Sequence, residues 1–122
     1  MPGSHFVFAN TYELLSEIIA DPASYGFEVI DKPCCAVSAD SQGSLCQRNG
    51  SACADRNTYL YFDGSHPSNA ANEILASKIY SSDVQSYAYP FNVKQLSDLD
   101  ADFTHPGLIS DASRDVIEME VQ

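Results

Sequence analysis

Asp63 and His66 stand three residues apart in Tyr61-Phe62-Asp63-Gly64-Ser65-His66-Pro67, directly ahead of Ser68-Asn69-Ala70-Ala71-Asn72-Glu73-Ile74-Leu75-Ala76. A carboxylate at that spacing can hold one imidazole nitrogen and leave the other to take a proton from a nucleophile. Asp63-Gly64 predicts a tight turn, the glycine giving the chain freedom to bring the acid back to the ring. The bland reading is a common acid-glycine turn in which His66 merely pairs locally. The chemical reading makes His66 a general base and then acid, with Asp63 as its orienter. An equally clear nucleophile is missing. Ser65 adjoins His66 too closely in sequence to be given that role, and Ser4, Ser38 and Ser44 have no supporting context. His5 and His105 read as surface residues.

The elements that must position the pair are short. Phe6-Val7-Phe8-Ala9 reads as a buried parallel strand running into a helix at Asn10-Thr11. Leu14, Leu15, Ile18 and Ile19 share one face of that helix, while Glu13, Ser16, Glu17 and Ala20 turn outward. Asn10 or Thr11 is its predicted N-cap, and Asp21-Pro22 ends it. Tyr59-Leu60-Tyr61-Phe62 is a second strand-like stretch. A second helix is predicted from Ser68 to Ser81, packing through Ala71, Ile74, Leu75 and Ile79, with Pro67 at its start. A parallel strand needs neighbours from further strand–helix units. The helix stripes are thus written for a sheet that this sequence does not encode, and a fragment is the expectation.

Cys34, Cys35, Cys46 and Cys53 lie in a polar loop rich in Ser, Gly, Asn and Ala. Such a segment orders poorly without a staple. A vicinal Cys34–Cys35 bond is sterically poor, so two cross-pairings stand open, each bridge contributing about 3 kcal/mol in the chain-entropy account. A zinc site is the lesser reading, because no Cys-x-x-Cys spacing is present. Asn49-Gly50-Ser51 is a glycosylation sequon within the same loop.

Seventeen acidic residues against six basic ones give the 122-residue chain a formal charge of −11. The six cations are scattered, which argues against nucleic-acid binding and against an anionic lipid surface. No apolar run approaches the roughly 18 residues of a membrane span. Met1-Pro2-Gly3-Ser4-His5-Phe6 lacks the features of a secretory signal. Residues 98–122 are strongly acidic, with Asp98, Asp100, Asp102, Asp111, Asp115, Glu118 and Glu120 beside a single Arg114. That stretch reads as a disordered tail.

Phe62-Asp63-Gly64-Ser65-His66-Pro67-Ser68-Asn69-Ala70-Ala71-Asn72 resembles the last sequence block of the plant GDSL esterase/lipase family, in the SGNH hydrolase superfamily. That block reads aromatic-Asp-x-x-His-Pro-(Ser/Thr)-x-Ala-Ala-Asn. Three further segments are similar to the family in order. They are Phe6-Val7-Phe8-Ala9-Asn10-Thr11-Tyr12, the cysteine loop led by Tyr25-Gly26-Phe27-Glu28-Val29, and Tyr89-Pro90-Phe91-Asn92-Val93-Lys94-Gln95-Leu96.

The resemblance implies an α/β fold, the C-terminal part of a flavodoxin-like three-layer α/β/α sandwich, over residues 1–97. It implies that Asp63 and His66 belong to a Ser-His-Asp triad acting on carboxylic or lipid esters without a cofactor. The family's serine lies in a Gly-Asp-Ser block, and its oxyanion Gly and Asn lie in two others; none of these blocks is in this sequence. The missing N-terminal part of the same hydrolase domain is then the implied partner, and the parent protein is expected to be secreted. Without a nucleophile the loss of turnover is on the order of 10⁶ in a comparable triad, so this chain is expected to be inactive alone. The alternative is a non-catalytic, secreted, disulfide-containing binding module, or a truncated product without function.

Overall fold

The structure, a computed structural model, describes residues 4–103. Five elements carry it: β1 (Phe8–Ala9), α1 (Thr11–Ala20), α2 (Asn69–Ser81), β2 (Ala88–Tyr89) and α3 (Val93–Phe103). Short 3₁₀ turns at Pro22–Tyr25, Ala39–Ser41 and Arg56–Thr58 punctuate the long segment between the first two helices.

Helix α1 starts where Asn10 Oδ1 accepts the Glu13 N–H at 3.2 Å, so the first of the two candidate caps is used. Leu14 and Ile18, one turn apart, are buried, whereas Ile19 at the edge of the predicted stripe is exposed. Glu17 does not turn outward as expected. It accepts the Tyr87 hydroxyl at 2.5 Å and the Tyr25 hydroxyl at 3.3 Å. The hydrogen bond to Glu17, helped by burial, pushes Tyr87 up to about 12. A charge on the inner face is tolerable because two phenols pair with it.

After the proline turn, Gly26 takes a left-handed φ of 83° and delivers Phe27 into the core. The chain then runs beside the segment that leads to Asp63. Val29 and Tyr59 form a parallel bridge, with Leu60 N–H donating to the Val29 carbonyl at 2.9 Å. Leu60 is wholly buried and gathers Leu14, Ile18, Phe27, Ala71, Leu75 and Tyr87 around it. Ser68 caps α2, its Oγ accepting the Ala71 N–H at 3.2 Å. Ala71 and Leu75 are buried and Ile74 and Ile79 half-buried, as the predicted stripe requires.

The sheet departs from expectation. β1 pairs antiparallel with β2, Phe8 opposite Tyr89 and Ala9 opposite Ala88, and both Phe6 and Phe8 are exposed. A buried parallel strand needs further strands beside it and layers over both faces. Among the described residues the partner of β1 is a two-residue strand returning after α2, so the pair runs antiparallel and its faces stay open. The described residues form a helix-rich α/β unit with a two-stranded sheet and do not themselves build three layers.

Helix α3 opens with a reciprocal cap. Asn92 Oδ1 accepts the Gln95 N–H at 2.8 Å, and Gln95 Oε1 accepts the Asn92 N–H at 2.9 Å. The helix continues to Phe103, through the point after residue 97 where the acidic tail was expected to begin. A cap, unlike net charge, fixes where a helix starts, and acidic residues are compatible with helix. The rest of the expected tail, from residue 104, lies outside the described residues.

Candidate active site

The loop from Tyr61 to Pro67 is closed at its base. Tyr61 and Pro67 form an antiparallel bridge, Phe62 N–H donates to the His66 carbonyl at 2.9 Å, and Ser68 N–H donates to the Leu60 carbonyl at 2.8 Å. Leu60 anchors one end in the core and helix α2 anchors the other. The turn between them therefore cannot swing as a free loop.

Within it Asp63 is buried, at 6% exposure. Its Oδ1 accepts the backbone N–H of Ser65 at 2.8 Å and that of His66 at 2.7 Å, an Asx-type turn. His66 Nδ1 lies 2.9 Å from Oδ2 and 3.0 Å from Oδ1. Burial alone would raise the carboxyl. The Ser65 N–H, the imidazole and the His66 N–H outweigh it and hold Asp63 at about 2. The His66 side chain is 65% exposed against 8% for the carboxylate. An ionised acid thus grips Nδ1 from beneath while the body of the ring faces solvent. Chemically, this fixes the tautomer with hydrogen on Nδ1 and leaves Nε2 as the basic atom.

Ser65 is the unexpected member. Its Oγ lies 3.1 Å from the Ser44 carbonyl, 3.3 Å from Asp63 Oδ1 and 3.2 Å from His66 Nδ1. It meets the nitrogen that Asp63 already holds, which is the wrong side of the ring for a nucleophile. Ser38 is occupied elsewhere, capping the turn at Ala39–Ser41, and Ser44 contributes its carbonyl. His5 is half-buried and so does not match the surface position expected of it. His105 lies outside the described residues.

The cysteine loop sits against this turn. Its bridges are Cys34–Cys53 and Cys35–Cys46, which selects one of the two open pairings and leaves no thiol for a metal. Cys34 N–H donates to the Tyr61 carbonyl at 3.1 Å and Cys35 N–H to the Phe62 carbonyl at 2.9 Å. Gly64 is needed for a reason the sequence does not show. A Cβ there would lie 2.0 Å from the Gly43 carbonyl oxygen, so two backbones touch where any side chain would collide. Asn49 is exposed on a left-handed turn of the same loop, with φ 58°. Among the described residues no three His, Cys, Asp or Glu side chains converge as metal ligands, and no helix is long and apolar enough to cross a membrane.

The contacts of Ser65 and Gly64 link residues some twenty positions apart. No local spacing rule could have found them, whereas the Asp63–His66 contact is set within a single turn.

Comparison with known proteins gives a consistent family. The chain is 38% identical over 96 residues to a GDSL esterase/lipase of Arabidopsis thaliana, covering 79% of this chain and 25% of that protein. It is 34% identical over 98 residues to a second, covering 80% and 27%, and 33% identical over 99 residues to GDSL esterase/lipase 7 of the same plant, covering 81% and 27%. No family model and no solved structure matches. The chain, with its stapled loop and its acid–imidazole turn, belongs to the GDSL esterase/lipase family and spans about a quarter of the length of the relatives it matches.

Proposed function

We propose that this chain supplies the acid and base of a carboxylic-ester hydrolase. His66 deprotonates a serine hydroxyl and later protonates the leaving alcohol, and Asp63 holds the ring and stabilises the imidazolium between those steps. The serine and the oxyanion donors belong to the N-terminal part of the same three-layer hydrolase domain, which completes the sheet beside β1. Esters, lipid esters among them, are the substrate class. One observation carries the reading: both Asp63 oxygens lie within 3.0 Å of Nδ1 while the ring stands 65% exposed.

Two disulfides and the exposed Asn49 sequon support a secreted, glycosylated parent protein. Alone, the chain has no nucleophile to activate and hydrolyses nothing.

Co-expression with the complementary portion of a GDSL esterase/lipase, bearing its Gly-Asp-Ser block, tests this. Hydrolysis of a short-chain p-nitrophenyl ester should appear only in the mixture. His66→Ala should remove it by a factor on the order of 10⁶, and Asp63→Asn should lower turnover by about 10⁴. Undiminished hydrolysis by the His66→Ala mixture would remove the proposal.

A further inference from the structure

We infer that Ser65 is a positioning residue through which the disulfide-stapled loop sets the proton on His66. The inference deepens the reading of His66 as a general base and rests on it. The Ser44 carbonyl at 3.1 Å and Asp63 Oδ1 at 3.3 Å can both only accept, so the single proton of the Ser65 hydroxyl is spent on one of them, the nearer being the Ser44 carbonyl, and not on the ring. A lone pair of the same oxygen then faces His66 Nδ1 at 3.2 Å. That arrangement is favourable only when Nδ1 carries hydrogen, shared between Ser65 and the carboxylate. The opposite tautomer would set a bare nitrogen against a lone pair and an anion together. Ser65 therefore reinforces the tautomer that leaves Nε2 free to accept a proton, and the loop supplies the fixed carbonyl that orients it.

The loop is well placed to do this. Gly43 and Ser44 lie between Cys35 and Cys46, whose bridge closes that segment. Ser38 N–H donates to the Leu45 carbonyl at 2.8 Å across it, and Cys35 N–H reaches the Phe62 carbonyl beside Asp63. On the other side, Gly43 rests directly on Gly64. The carbonyl of Ser44 is thus tethered both by a covalent bridge and by backbone packing. Retreat of the loop would carry the Ser65 acceptor away from the ring.

Long-range ¹H–¹⁵N spectra of the oxidised chain at about pH 9, where imidazoles are neutral, read the ratio of Nδ1–H to Nε2–H forms. His66 is identified by the signals lost in His66→Ala. The Nδ1–H form should dominate. Ser65→Ala should lower the ratio about fivefold, the worth of one ordinary hydrogen bond, and Ser65→Thr, which keeps the hydroxyl, should restore it. Replacing Cys35 and Cys46 together by Ala should give the same fall, and adding Ser65→Ala should lower it no further.

Gly64→Ala, which wedges the loop away with both bridges intact, should reproduce the fall and carries the test if the cysteine variant does not fold. An unchanged ratio in Ser65→Ala, or loop and serine effects that simply add, would overturn the inference. Because the ratio is read on this chain without any hydrolysis, it is separable from the fate of the proposed activity.

Discussion

Asp63 binds its histidine with a carboxylate that the backbone has already fixed. Two N–H groups hold Oδ1, so the acid is oriented before the ring arrives. The three-residue spacing made this legible, because an Asx-type turn closes within four residues and needs nothing from elsewhere. The consequence for stability has a definite sign. Asp63 sits at about 2 in the folded chain, against about 3.9 for an unfolded aspartate. Its contribution is present in full above about pH 4 and is lost as pH falls toward 2, because the unfolded chain takes up the proton first. Urea unfolding at intervals between pH 5 and 2 should therefore show a steeper loss for the native chain than for Asp63→Asn. Parallel curves would mean that the carboxylate is not held as described.

Caps decide the elements more firmly than periodicity does. Asn10, Ser68 and Asn92 each accept an N–H in the first turn of the helix they start. Asn10 is readable as a small polar residue ahead of an apolar stripe, whereas the sequence counts Ser68 within the second helix, and its cap emerges only in the structure. Asn92 was not read as a cap, since the acidic character beyond Leu96 suggested a tail instead. Its side chain also donates to the Ser82 carbonyl at 3.1 Å, tying the start of α3 to the end of α2. Asn92→Ala should cost about 1–2 kcal/mol and reduce helical circular dichroism. Asn92→Asp keeps the cap and should cost less; equal losses in the two variants would show that the Ser82 bond, and not the cap, matters.

At the scale of the whole molecule, one modest core holds the acid–imidazole turn in place. Leu60 is its fully buried centre, three residues before Asp63, and its backbone joins both Val29 and Ser68. Leu60→Ala should destabilise the chain by about 2–5 kcal/mol in thermal or urea unfolding. The same variant should broaden the His66 ring signals, since the base of the turn loosens with the core. A loss under about 1 kcal/mol would indicate that the core is not packed as described. The exposed Phe6, Phe8, Tyr12 and Tyr89 beside the small sheet contrast with this buried centre.

The sequence alone determined what short-range rules govern: two amphipathic helices, the first with its cap, a proline stop, a turn carrying an acid and an imidazole, and a loop in need of bridges. Tertiary structure alone decided which cysteines pair, that β1 runs antiparallel to β2, that Glu17 faces two tyrosines, and that Gly64 and Ser65 rest on Gly43 and Ser44. The division is physical. Hydrogen bonds and packing within one helical turn depend on residues adjacent in sequence, whereas contacts across twenty or seventy residues depend on how the whole chain closes around Leu60.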